Sequence, residues 1–147
     1  MMAKPILREA RVEDLHEITR IRTSVRENHL SIEQMAERGI TEAKTAARMQ
    51  SANLGSWVTT INDEITAFAM ADKTTGNLFA LFTHPDHEGK GCGSMLLAKC
   101  ETWWREQGVR KVKLDTDKNS KAVQFYARRG WIAFDQDECE VYMSKTL

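Results

Sequence analysis

The stretch E-G-K-G-C-G-S-M-L-L, Glu88 to Leu97, separates an apolar run from a helical pattern. Its three glycines, Gly89, Gly91 and Gly93, alternate, so nearby peptide units carry no side chain and their N–H groups can converge on an anion. The positive end of the dipole of the following helix adds to that attraction. Because a lone glycine loop is equally typical of a tight turn, the flanking sequence has to distinguish the two interpretations.

The flanks of this stretch predict a strand before it and a helix after it. Residues Leu78 to Thr83 form a nearly continuous apolar run, typical of a strand that is buried on both faces and ends at His84. Beyond the loop, an apolar stripe at helical spacing runs as far as Gly108. The pattern G-x-G-x-x-G would need glycine at Ser94, and G-x-x-x-x-G-K-[ST] is absent, so the spacing supports neither a dinucleotide fold nor a P-loop.

Two motifs together resemble those of the GCN5-related N-acetyltransferases. The first is the acetyl-CoA loop Q/R-x-x-G-x-G/A, matched here by Glu88, Gly91 and Gly93 after Pro85. The second is N-x-x-A-x-x-F-Y-x-x-x-G-F/W, matched in register by Asn119, Ala122, Phe125, Tyr126, Gly130 and Trp131. Glu88 replaces the family's usual Gln or Arg, and since a carboxylate repels phosphates, we expect it to point away from the cofactor.

The order of elements predicted along the chain is β-α-α-β-β-β-α-β-α-β-β. It includes a first strand from Pro5 to Ala10, a helix ending near Asn28-His29, a capping box at Ser31 and Gln34, and a helix N-cap at Asn119. A strand over residues 111–116 should lie parallel to the strand ending at His84. This order matches the family's α/β (α+β) acyltransferase fold, a mixed, mostly antiparallel sheet flanked by helices, in a single domain over residues 1–147.

The resemblance implies a set of residues that bind acetyl-CoA as the co-substrate. The backbone of Phe82, Thr83 and His84 would pair with the pantetheine arm, Asn119 would hydrogen-bond the cofactor, and Tyr126 would protonate the leaving thiolate. The pyrophosphate would be held by the loop residues Gly89, Lys90, Gly91, Cys92, Gly93 and Ser94. A tyrosine of pKa ~10 keeps its proton at neutral pH. The alternative is that Tyr126 is a core aromatic with its hydroxyl tied to backbone. Lys90, Arg128 and Arg129 are phosphate ligands or surface charges.

The implied reaction is direct attack by a primary amine of a small molecule or peptide on the acetyl thioester. At a lysine-like pKa of ~10.4, roughly one amine in a few thousand is neutral at pH 7, so a general base is useful. His84 has a suitable intrinsic pKa, but it could instead cap the end of its strand. Glu27 and Asp115 are alternative bases, and the amine pocket would be lined by Arg26, Asn28 and His29.

Three alternatives to this function are a cysteine nucleophile, a metal site and a binding module without catalysis. Cys92, at a helix N-terminus, could act as a nucleophile, although direct transfer is the rule in the family. Pro85 breaks the helical spacing that a metal site built from His84, His87 and Glu88 would need, so no metal is expected. A non-catalytic acyl-CoA-binding regulatory module remains the alternative function.

Composition restricts the partners and the compartment that we expect. Lys plus Arg and Asp plus Glu both total 21, so the formal charge is zero and nucleic acid is not expected as a partner. Three cysteines without C-x-x-C spacing fit a reducing cytoplasm. Charges in the first 18 residues argue against a signal peptide, and no apolar run predicts contact with a membrane. A homodimer is compatible with the resemblance.

Overall fold

A computed structural model describes residues 3–147. The first two of the 18 residues in which no signal peptide is expected, Met1 and Met2, lie outside the described residues. The strands of the described chain are β1 (Ile6–Glu9), β2 (Leu54–Ile61), β3 (Glu64–Asp72), β4 (Leu78–Thr83), β5 (Lys111–Asp117), β6 (Ile132–Gln136) and β7 (Glu140–Thr146). Its α-helices are α1 (Leu15–Ser24), α2 (Ile32–Glu37), α3 (Glu42–Met49), α4 (Cys92–Glu106) and α5 (Lys121–Ala127). The predicted α/β architecture and element order are confirmed, with the second predicted helix divided in two at Gly39.

The strands form two antiparallel sheets that meet at a single parallel bridge. One sheet has the order β1-β2-β3-β4 and the other β5-β7-β6. Asn77 pairs with Lys113 in parallel, and the N–H of Lys113 donates to Gly76 O over 2.9 Å. A side chain at Gly76 would collide with the carbonyl oxygen of Lys111, so the close approach requires glycine. The parallel pairing expected for β4 and β5 is therefore confined to this bridge, and β4 keeps a free edge beyond it.

The free edge explains why one expectation about β4 is wrong. The strand was expected to be buried on both faces, yet only Leu78 is buried, and the residues from Phe79 to Thr83 are half-buried. An apolar run predicts burial only where neighbouring elements cover both faces and both edges. Here Leu81 packs on the cluster around α4, while Phe79, Ala80 and Phe82 pack on the other face. Beyond the Asn77–Lys113 bridge no strand pairs with the outer edge of β4, and the gap between this edge and β5 is called the cleft below.

Two clusters of buried side chains pack on opposite faces of the first sheet. On one face α4 is central, and its Leu96, Leu97, Cys100 and Trp104 are at most 1% exposed. On the other face α1 and α3 pack against β2, β3 and β4 through residues such as Ile21, Val58 and Phe68. Burying a large apolar side chain contributes about 1.5–3 kcal/mol. The sheet is thus fixed from both sides, and it presents the end of β4 next to the start of α4.

Two predicted boundaries are corrected by the structure. Helix α1 ends at Ser24 rather than near Asn28-His29, because Val25 is extended and Asn28 adopts a φ of 58°. Helix α5 has Ser120 rather than Asn119 as its N-cap residue, and the Ser120 hydroxyl donates to Asp117 O over 2.7 Å. The predicted capping box is confirmed, with the Ser31 hydroxyl accepting from Gln34 N and the Gln34 side chain accepting from Ser31 N.

Candidate active site

The glycine loop enters α4 through two left-handed residues. Gly89 has a φ of 77° and Gly91 a φ of 85°, a region that a residue with a Cβ adopts only with strain. Gly91 is the N-cap of α4 and carries no capping side chain. No side-chain hydrogen bond therefore caps the N-terminus of this 15-residue helix.

The main chain of this loop presents a row of hydrogen-bond donors without acceptors. Within residues 3–147, the N–H groups from Gly89 to Ser94 donate to no protein group, and the helical bonding begins with Met95 N to Gly91 O at 3.1 Å. Unpaired N–H groups at a helix N-terminus, together with the helix dipole, form a site for phosphate. The residues thus fit the pyrophosphate that the sequence predicts here.

Three elements converge beside this loop. A Cβ added to Gly93 would lie 3.4 Å from the ring of Phe125 on α5 and 3.9 Å from Oγ1 of Thr83 on β4. The Arg129 guanidinium stacks 3.8 Å from the Phe125 ring centroid and donates to Ser94 Oγ over 2.5 Å. Arg129 is therefore a fixed cation at the start of α4, as expected of a phosphate ligand.

The other charged residues near the loop differ in their contacts. Lys90 Nζ lies 3.1 Å from His87 Nδ1, so Lys90 is held at the loop. Arg128 and Glu88 are exposed, and the expectation that Glu88 points away from the cofactor stays a prediction. Asn119 is also exposed and makes no hydrogen bond in the described chain.

The register of β4 determines which of its peptide groups face the cleft. His84 N donates to Thr66 O over 2.8 Å, and Phe82 lies opposite Phe68 on β3. Because hydrogen-bonded pairs alternate in an antiparallel ladder, the peptide groups of Phe82 and His84 point to β3 and those of Thr83 point to the free edge. The expectation that all three would pair with the pantetheine arm is corrected, since only Thr83 has free main-chain groups on that side.

Tyr126 is buried, and its hydroxyl is unpaired. The residue is 6% exposed, and its ring packs against Phe125 and Trp131 at centroid distances of 5.2 and 5.8 Å. No hydrogen bond within residues 3–147 involves its hydroxyl, and this oxygen is not among the fully buried atoms that lack a partner, so it keeps access to the surface. The alternative in which backbone holds the hydroxyl is therefore wrong. Burial, and to a lesser degree the nearby Cys100 thiol, raises the pKa of Tyr126 above its ordinary value.

His84 is engaged at the end of its strand. Its Nδ1 accepts from Asp86 N over 3.1 Å and lies 3.7 Å from the Asp86 carboxylate. In the neutral ring this places the proton on Nε2, so the nitrogen that could take a proton is occupied. The geometry agrees with the capping interpretation of His84 and not with a ready general base.

The segment between α1 and α2 is attached to β5 and α5, which sequence reasoning missed. Asn28 N donates to Asp117 Oδ2 over 2.9 Å, Asp117 N donates to Asn28 Oδ1 over 2.8 Å, and Asn28 Nδ2 donates to Thr116 Oγ1 over 3.0 Å. Glu27 accepts from Lys121 N over 2.7 Å at the start of α5. Through these contacts Glu27 and Asn28 hold the segment after α1 against the end of β5 and the start of α5. The other proposed base, Asp115, is exposed, as are Arg26 and His29.

The geometry does not support Cys92 as a nucleophile. Cys92 is 2% exposed, and its Sγ lies 3.4 Å from the buried Thr66 hydroxyl, so a substrate cannot reach it as a nucleophile.

Residues 3–147 contain no cluster of three or more His, Cys, Asp or Glu side chains that could hold a metal ion. None of the helices in the described part combines the length and apolarity that a membrane span requires.

Comparison with known proteins agrees with the fold and with the two motifs. A family profile described as the acetyltransferase (GNAT) family matches residues 12–131, so the chain belongs to this family. The prediction that the chain is an enzyme of the N-acetyltransferase class is thereby confirmed. No curated protein matches the chain.

Solved structures extend the similarity over the whole chain. PaiA N-acetyltransferase from Thermoplasma acidophilum, in complex with coenzyme A, has a TM-score of 0.85 at 16% identity and covers 98% of this chain and 99% of its own. A GCN5-related N-acetyltransferase from Rhodopseudomonas palustris has a TM-score of 0.80 at 25% identity, with coverages of 100% and 98%. YncA from Salmonella typhimurium, with its cofactor acetyl-CoA, has a TM-score of 0.78 at 17% identity, with coverages of 99% and 95%.

Proposed function

We propose that this protein transfers the acetyl group of acetyl-CoA to a primary amine of a small molecule or peptide by direct attack. The observation that carries the proposal is the row of unpaired N–H groups from Gly89 to Ser94 at the start of α4, next to the free edge of β4. Relatives in complex with coenzyme A and acetyl-CoA share the fold, which supports the choice of cofactor.

The chain's own groups divide the work of binding. The loop donors and Arg129 bind phosphate at the mouth of α4, and Lys90 adds a second positive charge there. The free C=O of Thr83 accepts from the arm of the co-substrate, as it would from an added strand. The Thr83 N–H is the donor that we assign to the thioester oxygen as it gains negative charge.

Tyr126 is assigned to the leaving sulfur. Its raised pKa keeps the phenol protonated, so it acts as a hydrogen-bond donor and not as a base. Transfer of its proton to a thiolate of pKa ~8.5 is uphill, hence its main effect is to stabilise the thiolate by a hydrogen bond. The proton that the amine loses on forming the amide balances the charge of the thiolate. The acceptor amine must lose a proton before it can attack. Since Nδ1 of His84 already accepts from Asp86 N, we assign solvent as the acceptor of this proton.

A binding measurement and a turnover measurement test this proposal together. Isothermal titration calorimetry with coenzyme A measures uptake of the cofactor. Release of free thiol from acetyl-CoA, measured across polyamines, amino acids, aminoglycosides and peptide N-termini, measures transfer. Uptake with thiol release supports the proposal, uptake without release on any amine favours the regulatory module, and absence of uptake contradicts both.

A further inference from the structure

Arg22 lies across the cleft from the glycine loop, on the opposite face of β4. The centre of its guanidinium is 4.1 Å from the ring centroid of Phe82, the neighbour of Thr83. Its NH1 donates to Asn28 O over 2.8 Å. Because Asn28 is itself bonded to Thr116 and Asp117 on β5, Arg22 and Asn28 span the gap between β4 and β5 at the end where these strands diverge.

The positive charge of Arg22 has no counterion in the described structure. Arg8 and Arg20 each have a carboxylate within 4 Å, whereas no carboxylate of residues 3–147 comes that close to Arg22. Only NH1 donates a hydrogen bond, so most of its five N–H donors are unused. Burial and the nearby charge of Arg38 lower the pKa of Arg22, while Asp117 acts in the opposite direction. A half-buried, unpaired guanidinium is costly for the fold, and an anion bound there would offset that cost.

We propose that Arg22 binds the carboxylate of the acceptor, so that the acceptors of this enzyme are amino acids and related small amines that carry a carboxylate. This inference rests on the proposed acetyl transfer. The planar guanidinium binds carboxylates through two parallel hydrogen bonds, and its stacking on Phe82 fixes its plane. With phosphate bound at the mouth of α4 and carboxylate bound by Arg22, the amine is directed to the intervening edge of β4 at Thr83.

The test compares pairs of acceptors that differ only in the carboxylate. Each amino acid is assayed beside its amide, and lysine is assayed beside cadaverine. Amides have the less basic α-amine, so chemistry alone favours them. We expect the wild-type enzyme to prefer the free acid by about 10- to 100-fold in kcat/KM, the range for hydrogen bonds to a charged group. The preference should arise mainly in KM.

Variants at Arg22 test whether this residue causes the preference. Arg22→Gln should lower kcat/KM for the acids by about 10- to 100-fold and leave the amides nearly unchanged. Arg22→Lys should restore part of the preference, since the charge remains but the planar fork is lost. Arg20→Gln is the matched control, because Arg20 lies on the same helix and is paired with Glu17 and Glu64. Thermal melting of each variant shows whether it is folded.

A wild-type enzyme that favours the amides, as their less basic amine alone predicts, would overturn the inference whatever the variants do. It would also be overturned if folded Arg22→Gln lost activity on acids and amides alike, since Arg22 would then be structural. If polyamines are acetylated and carboxylated amines are not, the proposed acetyl transfer stands and the assignment of Arg22 fails. If coenzyme A is not taken up at all, both fail.

Discussion

Asn28 and Asp117 hydrogen-bond each other twice, although 89 residues separate them. The Asn28 N–H donates to the Asp117 carboxylate, and the Asp117 N–H donates to the Asn28 side-chain oxygen. The exchange attaches the segment after α1 to the end of β5, where the cleft opens. The same exchange holds Asn28 O in place, and this oxygen accepts from Arg22 NH1. Asn28 therefore connects Arg22, which stacks on Phe82 of β4, with Asp117 at the end of β5.

Substitution of Asn28 should destabilise the protein, and glycine should be tolerated better than alanine. Loss of the two side-chain bonds costs about 2 kcal/mol in either variant, at about 1 kcal/mol each. Asn28 has a φ of 58°, which alanine adopts only at a further cost of about 1–2 kcal/mol. We therefore expect Asn28→Ala to unfold at lower urea than Asn28→Gly. An alanine variant as stable as the glycine variant would show that the left-handed conformation is not maintained.

Tyr126→Phe should lower kcat by about 10- to 100-fold, the range for loss of a hydrogen bond to a charged group, here the leaving thiolate. Its melting temperature should hardly change, because the hydroxyl hydrogen-bonds to no group within residues 3–147. Tyr142→Phe is the matched control, since Tyr142 is the second of two tyrosines and donates to the exposed Asp137. Stopped assays of thiol release with both variants make the comparison. Equal activity of the two variants would remove Tyr126 from the mechanism.

The elements that could be predicted from sequence are those whose cause is local. The alternating Gly89, Gly91 and Gly93 predict a bare helix N-terminus because the glycines themselves create it. The capping box at Ser31 is equally local, since it satisfies N–H groups within one turn. In both cases the residues that form the structure are neighbours in the chain.

The rest of the site depends on contacts between distant segments. Whether Thr83 or Phe82 presents its peptide groups to the cleft is set by the register with β3, which an apolar run does not encode. The attachment of Asn28 to Asp117, and the placement of Arg22 away from any carboxylate of residues 3–147, arise only when the segment after α1 reaches the end of β5. His84 is a suitable base by residue type, because a histidine side chain ordinarily titrates near neutral pH, but its Nδ1 accepts from Asp86 N.

Thiol labelling should distinguish one cysteine from the other two. Cys139 is exposed, while Cys92 and Cys100 are buried, and burial also raises the pKa of the Cys100 thiol. A disulfide reagent should therefore modify one thiol rapidly in the native protein and all three after denaturation. Cys139→Ser should abolish the rapid phase, and Cys92→Ala should keep both that phase and the transferase activity. Rapid labelling of Cys92, or an acetyl group found on it, would revive the nucleophile hypothesis.

Glu140 should make the protein less stable as the pH rises. It lies opposite Asp117 across the β5–β7 pair, and its Oε2 is buried without a hydrogen-bond partner in the described chain. Burial first, and then the charges of Asp117 and Asp115, raise the pKa of this carboxyl. The folded protein therefore retains a proton that the unfolded chain has already released. Stability therefore falls as the pH rises through the ordinary glutamate pKa of ~4.3 and on to the raised pKa of the folded protein, and the penalty is complete above that raised pKa.

Replacing Glu140 by glutamine removes this penalty. Glu140→Gln should melt at a higher temperature than the wild-type protein at neutral pH. The difference should shrink as the pH falls and vanish near about pH 3, more than one unit below the ordinary glutamate pKa of ~4.3, where the carboxyl is protonated in both states. Glu138→Gln is the control, because Glu138 is exposed and the substitution changes the net charge equally. Melting curves recorded at a series of pH values for the three proteins provide the measurement. A gain in stability that is independent of pH, or equal in the two variants, would mean that the environment of Glu140 is not the cause.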